Sequence, residues 1–265
     1  MGIELDPKWQ EEAYEQISND FSTGNRSCVV APTGCGKTAL GLKLMEENPN
    51  GNFLWVTSSS VAIREIKGLI QKVYGIKEPF PNLKIMTYNA LSNMNEEQFD
   101  KLNPSTVIFD ELHRAGAPIW EIRVKELLEN NKHAKILGLT ATPIRTDGKN
   151  MANAICGGIS YQLELTEAMA REILPIPIYI CTKYIFDEDI QEMEEAIDAI
   201  GDIEKRNEIH KLMEEATRKL HKAQGIQEIF EKHMTKSNGK YIIFCNTIKH
   251  IDEIEALLMS ENRVV

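Results

Sequence analysis

Through residue 140, short apolar runs alternate with longer stretches whose apolar positions recur at helical spacing. Residues 28–31, 52–57, 83–87, 105–110 and 134–140 read as strands. Between them, residues 39–45, 61–74 and 119–129 carry helical periodicity, the second behind a capping run Ser58-Ser59-Ser60. An earlier helix is predicted from Asp6 as N-cap and Pro7 at the first helical position, with Trp9, Ala13, Tyr14 and Ile17 on its apolar face. Strands that alternate with helices specify an α/β fold. The sheet is parallel and covered on both faces, and ligands are taken at the carboxyl ends of its strands.

Past Thr140 the pattern loosens through Asp147-Gly148-Lys149 and Gly157-Gly158. Residues 166–170 read as a short capped helix and 176–181 as a strand. Ile190, Met193, Ile197 and Ile200 then repeat at helical spacing, as do Ile209, Met213, Ala216, Leu220 and Ala223, with Gly201-Asp202 as a break between two helices. This segment, residues 181–236, reads as an amphipathic helical connector; it is too short for the sustained heptads of a coiled coil. Ser237-Asn238-Gly239 is a turn, residues 240–245 a strand and 248–259 a helix. No internal repeat or low-complexity tract is visible.

Composition narrows the class. A chain of 265 residues exceeds the usual single domain, and 42% hydrophobic with 26% charged residues is the balance of a folded globular protein. No apolar run reaches bilayer-spanning length, and the acidic start Met1-Gly2-Ile3-Glu4-Leu5-Asp6 lacks the basic and apolar regions of a signal peptide. Five cysteines, scattered and never spaced Cys-x-x-Cys, point to a reducing compartment, the cytosol, and give no thiolate zinc site. A net charge of −10 argues at first against a nucleic-acid partner. Residues 187–235, however, hold 14 acids and 7 bases, leaving only −3 for the rest of the chain, where a local basic cleft remains compatible with the count.

The chemistry concentrates in two stretches. Ala31-Pro32-Thr33-Gly34-Cys35-Gly36-Lys37-Thr38 stands between a strand and a helix, the context of a phosphate-binding loop, with Ala31 where the general pattern has glycine. Gly34 and Gly36 let backbone N–H groups turn inward, and the following helix, beginning near Ala39, presents its positive end to an anion. Lys37 would reach the β- and γ-phosphates and Thr38 would ligate Mg²⁺. Asp110-Glu111-Leu112-His113 closes an apolar strand; there Asp110 can hold the metal and Glu111 can polarise an attacking water. Read alone, adjacent acids at a strand end mean little, and a lone histidine such as His113 is ordinarily structural. Likewise, Thr140 and Thr142 alone fit turn chemistry before Pro143, and Gln10 alone fits a solvent-facing helical position.

Gln10, the Gly-Cys-Gly-Lys-Thr loop, Asp-Glu-Leu-His and Gly138-Leu139-Thr140-Ala141-Thr142-Pro143 stand in the order and rough spacing of superfamily 2 helicases. The chain resembles most the DExH branch with restriction-enzyme R-subunit-like and related repair helicases, in Asp-Glu-Leu-His-Arg-Ala-Gly-Ala, Thr-Ala-Thr-Pro-Ile-Arg-Thr-Asp-Gly and Met86-Thr87-Tyr88-Asn89-Ala90-Leu91. The resemblance implies a RecA-like ATP-binding domain over residues 1–180 and the start of a second RecA-like domain over 237–265, on Ile243-Phe244-Cys245-Asn246. It further implies ATP and Mg²⁺ as cofactors and a nucleic acid, DNA in preference to RNA, as partner. It assigns Gln10 to adenine and Thr33, Gly34, Cys35, Gly36, Lys37, Thr38 and Ala39 to the nucleotide. Lys37 and Glu111 are the catalytic residues, and Thr38 and Asp110 the metal ligands. His113, Thr140 and Thr142 would couple nucleotide state to nucleic-acid grip, and Thr57, Ser58 and Thr87 would contact the strand's phosphates.

The family completes its site with arginines from the far part of the second domain. The chain stops at Val265, and Arg263 lies in no such motif. The expectation is a truncated helicase that binds nucleotide, hydrolyses it slowly and unwinds nothing by itself. Two readings from other classes stand beside it. One is a nucleotide switch without motor activity. The other is an interaction module that meets a protein partner through the acidic helices of residues 187–232.

Overall fold

The computed structural model describes residues 2–75, 80–177, 187–221, 232, 243–245 and 248–260. The chain divides into two compact units, Met1–Pro177 and Ile178–Val265.

The first unit is built on a six-stranded parallel sheet of order β3-β2-β4-β5-β1-β6. Its strands are β1 (Arg26–Val30), β2 (Phe53–Thr57), β3 (Leu83–Thr87), β4 (Thr106–Asp110), β5 (Lys135–Thr140) and the short β6 (Tyr161–Gln162). The helices are α1 (Gln10–Thr23), α2 (Thr38–Glu47), α3 (Ser60–Tyr74), α4 (Tyr88–Ser92), α5 (Glu96–Asp100), α6 (Pro118–Asn130) and α7 (Leu165–Ala170). A 3-10 turn covers Leu112–Gly116 and a π-helical turn Ala152–Cys156.

Alternation along the strands divides the core in two. Val29, Phe53, Trp55 and Ile108 face one side, where they pack with Trp9 just ahead of α1, Ile17 of α1, Leu40 and Leu44 of α2, and Ile66 and Ile70 of α3. Val30, Leu54, Val56, Val107 and Phe109 face the other, against Tyr88 and Leu91 of α4, Phe99 of α5, Val124 and Leu127 of α6, and Met151. A strand covered on both faces has no solvent side to mark with polar residues, which is why these read as near-continuous apolar runs. Gly41 lets α2 approach closely: a Cβ there would stand 2.5 Å from the Trp55 ring.

Most predicted elements appear within a residue or two, and the differences have local causes. The first helix starts at Gln10 rather than after Asp6; residues 7–9 form a turn, and the Asp6 carboxylate accepts from Lys8 N at 2.9 Å. Asp6 thus caps a turn instead of the helix. In α7 no side chain caps the N-terminus. Ile176 and Pro177 are outside any strand, and the rest of the predicted strand 176–181 lies outside the described residues.

The second unit contains α8 (Asp187–Asp198), α9 (Ile203–His221) and α10 (Ile248–Ser260). The predicted break at Gly201-Asp202 is present, with Asp202 accepting from Glu204 N and Lys205 N to start α9. The apolar faces of α8 and α9 border one groove, lined by residues that include Ile190, Ile197, Ile209 and Met213. Ile243, Phe244 and Cys245, the end of the strand predicted for 240–245, are outside any strand, and residues 240–242 lie outside the described residues. The turn at 237–239, Asn246 and Arg263 lie outside the described residues.

Candidate nucleotide site

Because every strand pairing is parallel, the loops after β1 and β4 emerge on one edge of the sheet. β5 runs between them, bonded to β1 on one side and β4 on the other. The edge therefore presents, in order, the glycine-rich loop, Thr140 and the acidic pair.

The loop turns at Gly34 (φ 90°) and Gly36 (φ 84°), both in backbone that only glycine adopts without strain. α2 then opens on Lys37 with no side-chain cap, so its first amides face the loop rather than a serine or aspartate. Lys37 is buried, 8% exposed, and its Nζ donates to the carbonyls of Ala31 at 2.8 Å and Pro32 at 3.2 Å. Burial pushes its pKa down, while the charges of Glu111 and Asp110 pull it back up. A buried ammonium whose direct partners are neutral carbonyls keeps charge for an anion, while the two nearby carboxylates favour a cation beside it.

Asp110 ends β4 with both carboxylate oxygens engaged: Oδ2 accepts from the Thr57 hydroxyl at 3.1 Å and Oδ1 from Glu111 N at 3.1 Å. Burial raises its pKa first and the neighbouring Glu111 charge second; the Thr57 bond and Lys37 oppose them. Glu111 has φ 51°, a left-handed conformation a glutamate holds only when its surroundings impose it. Its Oε2 lies 3.4 Å from His113 Nδ1, and that nitrogen is 3.1 Å from Thr140 Oγ1. The Thr140 hydroxyl donates to Thr142 O at 2.9 Å, which leaves its lone pairs for the Thr142 amide and for a proton on His113 Nδ1. Burial lowers the His113 pKa, and Arg114, Arg145 and Lys37 add to that against Glu111, so the ring is neutral near pH 7.

The structure brings together Gly34, Gly36, Lys37, Thr38, Asp110, Glu111, His113 and Thr140. Thr33 is exposed, Cys35 buried, Ala39 half-buried and Thr142 exposed. Gln10 is neither solvent-facing nor free: its Oε1 accepts from Asp6 N at 2.8 Å, and its Nε2 donates to the carbonyls of Cys35 and Gly36, each at 3.2 Å. Its amide fastens the loop to α1. The expected phosphate contact at Thr57 is corrected: the side chain has no exposed surface, and its hydroxyl is committed to Asp110. Thr87 is half-buried, and its hydroxyl accepts from Ala90 N at 3.0 Å as the N-cap of α4; Ser58 is half-buried.

Two further residues enter the site unannounced. Tyr88 donates its hydroxyl to Asp110 O at 3.1 Å, and Arg145 Nη1 donates to His113 O at 2.8 Å. Both lie inside stretches that carried the family resemblance, Met-Thr-Tyr-Asn-Ala-Leu and Thr-Pro-Ile-Arg, and that placement was their only signal.

Residues 4–145 match the family described as "Type III restriction enzyme, res subunit". The chain belongs to this family. Among curated relatives it is 28% identical over 193 residues to "Putative helicase 22" of the Sulfolobus islandicus filamentous virus, covering 64% of this chain and 34% of that protein. It is 28% identical over 158 residues to the DNA 3'-5' helicase XPB of Mycobacterium tuberculosis, covering 53% of this chain and 28% of the relative. The chain thus spans about a third of the length of the curated relatives it matches. The Pyrococcus furiosus Hef helicase domain superposes with a TM-score of 0.49 at 17% identity, over 72% of this chain and 45% of that one. Among the described residues no helix is long and apolar enough to cross a membrane.

Proposed function

We propose that this chain is the ATP-binding and hydrolysing portion of a helicase or translocase that acts on nucleic acid, DNA in preference to RNA. One observation carries the reading: a glycine-rich loop around a buried lysine and an adjacent pair of carboxylates share one sheet edge, separated by a single strand. Family membership supports it, and the relatives named as DNA helicases supply the substrate class.

The residues fit a magnesium nucleotide. The two positive-φ glycines leave room beside the loop amides, and among the described residues the Lys37 ammonium has neutral carbonyls alone as direct partners. On binding, Lys37 exchanges those carbonyls for phosphate oxygens. The Thr38 hydroxyl and the Asp110 carboxylate would hold Mg²⁺, which would supply Lewis-acid neutralisation of the terminal phosphates. Glu111 accepts the proton of the attacking water on its carboxylate, at the place its forced backbone fixes. The neutral His113, bonded to Thr140 and close to Glu111, links this base to the segment that continues into Thr142. Gln10 can read an adenine edge only by releasing a loop carbonyl or Asp6 N, so base recognition and loop position are coupled in this proposal.

Calorimetry with magnesium and ATP tests binding, and steady-state ATPase with DNA, RNA or neither tests the substrate class. Heat on ATP addition that Lys37→Ala abolishes, with turnover stimulated by DNA, is the expected result. No heat with the parent chain, or equal heat with Lys37→Ala, overturns the reading.

A further inference from the structure

The left-handed Glu111 has to be held by something. The peptide unit that joins it to Asp110 is pinned at both of its polar atoms: the Asp110 carbonyl accepts from the Tyr88 hydroxyl at 3.1 Å, and the Glu111 amide donates to Asp110 Oδ1 at 3.1 Å. The second bond is local and turns with the Asp110 side chain. The first is the fixed point, because Tyr88 is fully buried against two rings. Phe109 stacks on it at 6.2 Å and an interplanar angle of 10°, Trp120 at 5.4 Å and 18°. A peptide released from such a bond can rotate and carry φ of Glu111 back to an ordinary region, and the carboxylate moves with it.

We propose that Tyr88 is the positioning residue that fixes the Asp110–Glu111 peptide and thereby aims Glu111. Tyr88 is also the first residue of α4, next to the N-cap Thr87, so the corner between β3 and α4 governs the base through this one hydroxyl. The inference rests on the hydrolase reading above for its catalytic consequence, while its structural content is independent of it.

The test is Tyr88→Phe in the full chain, which keeps the ring stack and removes only the donor. Hydrogen exchange at the Glu111 amide is read by NMR, and ATP turnover and ATP affinity are measured in parallel. Trp120→Phe, which loosens the stack with the hydroxyl intact, serves as the second variant. The expected result is at least a tenfold faster exchange at Glu111 in Tyr88→Phe. Its kcat should fall ten- to a hundredfold with KM for ATP within twofold, and Trp120→Phe, which keeps the donor, should lose clearly less than Tyr88→Phe. Unchanged exchange at Glu111 overturns the inference whatever the activity. So does an equal loss of kcat in Trp120→Phe, or a Tyr88→Phe loss that appears as weakened ATP binding. A parent chain without turnover counts against the hydrolase reading alone, since the exchange measurement still decides the role of Tyr88.

Discussion

Gly36→Ala probes the loop at its tightest point. Two separate costs add there. The position has φ 84°, where a side chain is strained by about 1–2 kcal/mol. The new Cβ would also stand 2.8 Å from Gln10 Nε2, so the amide must turn away. Doing so forfeits its bonds to the Cys35 and Gly36 carbonyls, each worth roughly 0.5–1.5 kcal/mol net. The sum is about 2–5 kcal/mol, which for a unit of this size lowers the melting temperature by roughly 4–20 °C. Circular dichroism melts of a double-mutant cycle separate the two parts. In a Gln10→Ala background the obstacle and its bonds are already gone, so Gly36→Ala should cost only the backbone strain. The same cost for Gly36→Ala in both backgrounds would show that Gln10 does not fasten this loop, and a melt within about 1 °C of the parent would remove the strain argument as well.

Other expectations follow from the same geometry. Glu111→Gln should bind ATP with parental affinity and lose about 10²–10⁴-fold in turnover, measured by single-turnover hydrolysis; undiminished turnover would take the base role from Glu111. Asp110 has its pKa raised by burial and by Glu111, so its contribution to stability is full below the ordinary carboxylate range and is lost as pH rises through the raised value. Asp110→Asn should therefore melt higher than the parent at pH 7, with the gap closing on acidification, while hydrolysis disappears; a variant that melts lower at pH 7 contradicts this. Thr57→Val removes the bond that favours the Asp110 carboxylate, so the acid limb of the ATPase pH profile should move to higher pH, and an unmoved limb would separate Thr57 from the site. Gly41→Ala drives a methyl into the Trp55 ring and should destabilise by about 1–3 kcal/mol in urea titration with ATP affinity unchanged where the protein remains folded.

The parts of the fold that could be read from the chain are those where local pattern and tertiary role coincide. The strands of the sheet carry apolar runs because both their faces are buried, and the glycine-rich loop declares itself because only glycine tolerates its turns. Asp110 and Glu111 were legible for a related reason, since charge is conspicuous at the end of an apolar strand. What the chain hides is the second partner of each polar group. Thr57 looks like an exposed strand-end hydroxyl until β4 is laid beside β2 and the hydroxyl meets Asp110. Gln10 looks solvent-facing until α1 packs over the loop. Tyr88 reads as one more aromatic, because its bond to Asp110 spans 22 positions and depends on the packing of α4. The strand expected at 240–245 was inferred from apolar content, and at Ile243–Cys245 that content accompanies irregular backbone with Phe244 almost wholly exposed.

The position of β5 acts as a gauge. Adjacent strands stand about 4.8 Å apart, so the loop after β1 and the acids after β4 are held roughly 10 Å from one another by two hydrogen-bonded ladders. Loop motions can trim that gap, but no side-chain substitution can close it. The bank after β1 carries a lysine and loop amides and the bank after β4 carries carboxylates, so an anion seated on the first meets the second only across a cation, and the spacing of the ladders sets the room for it.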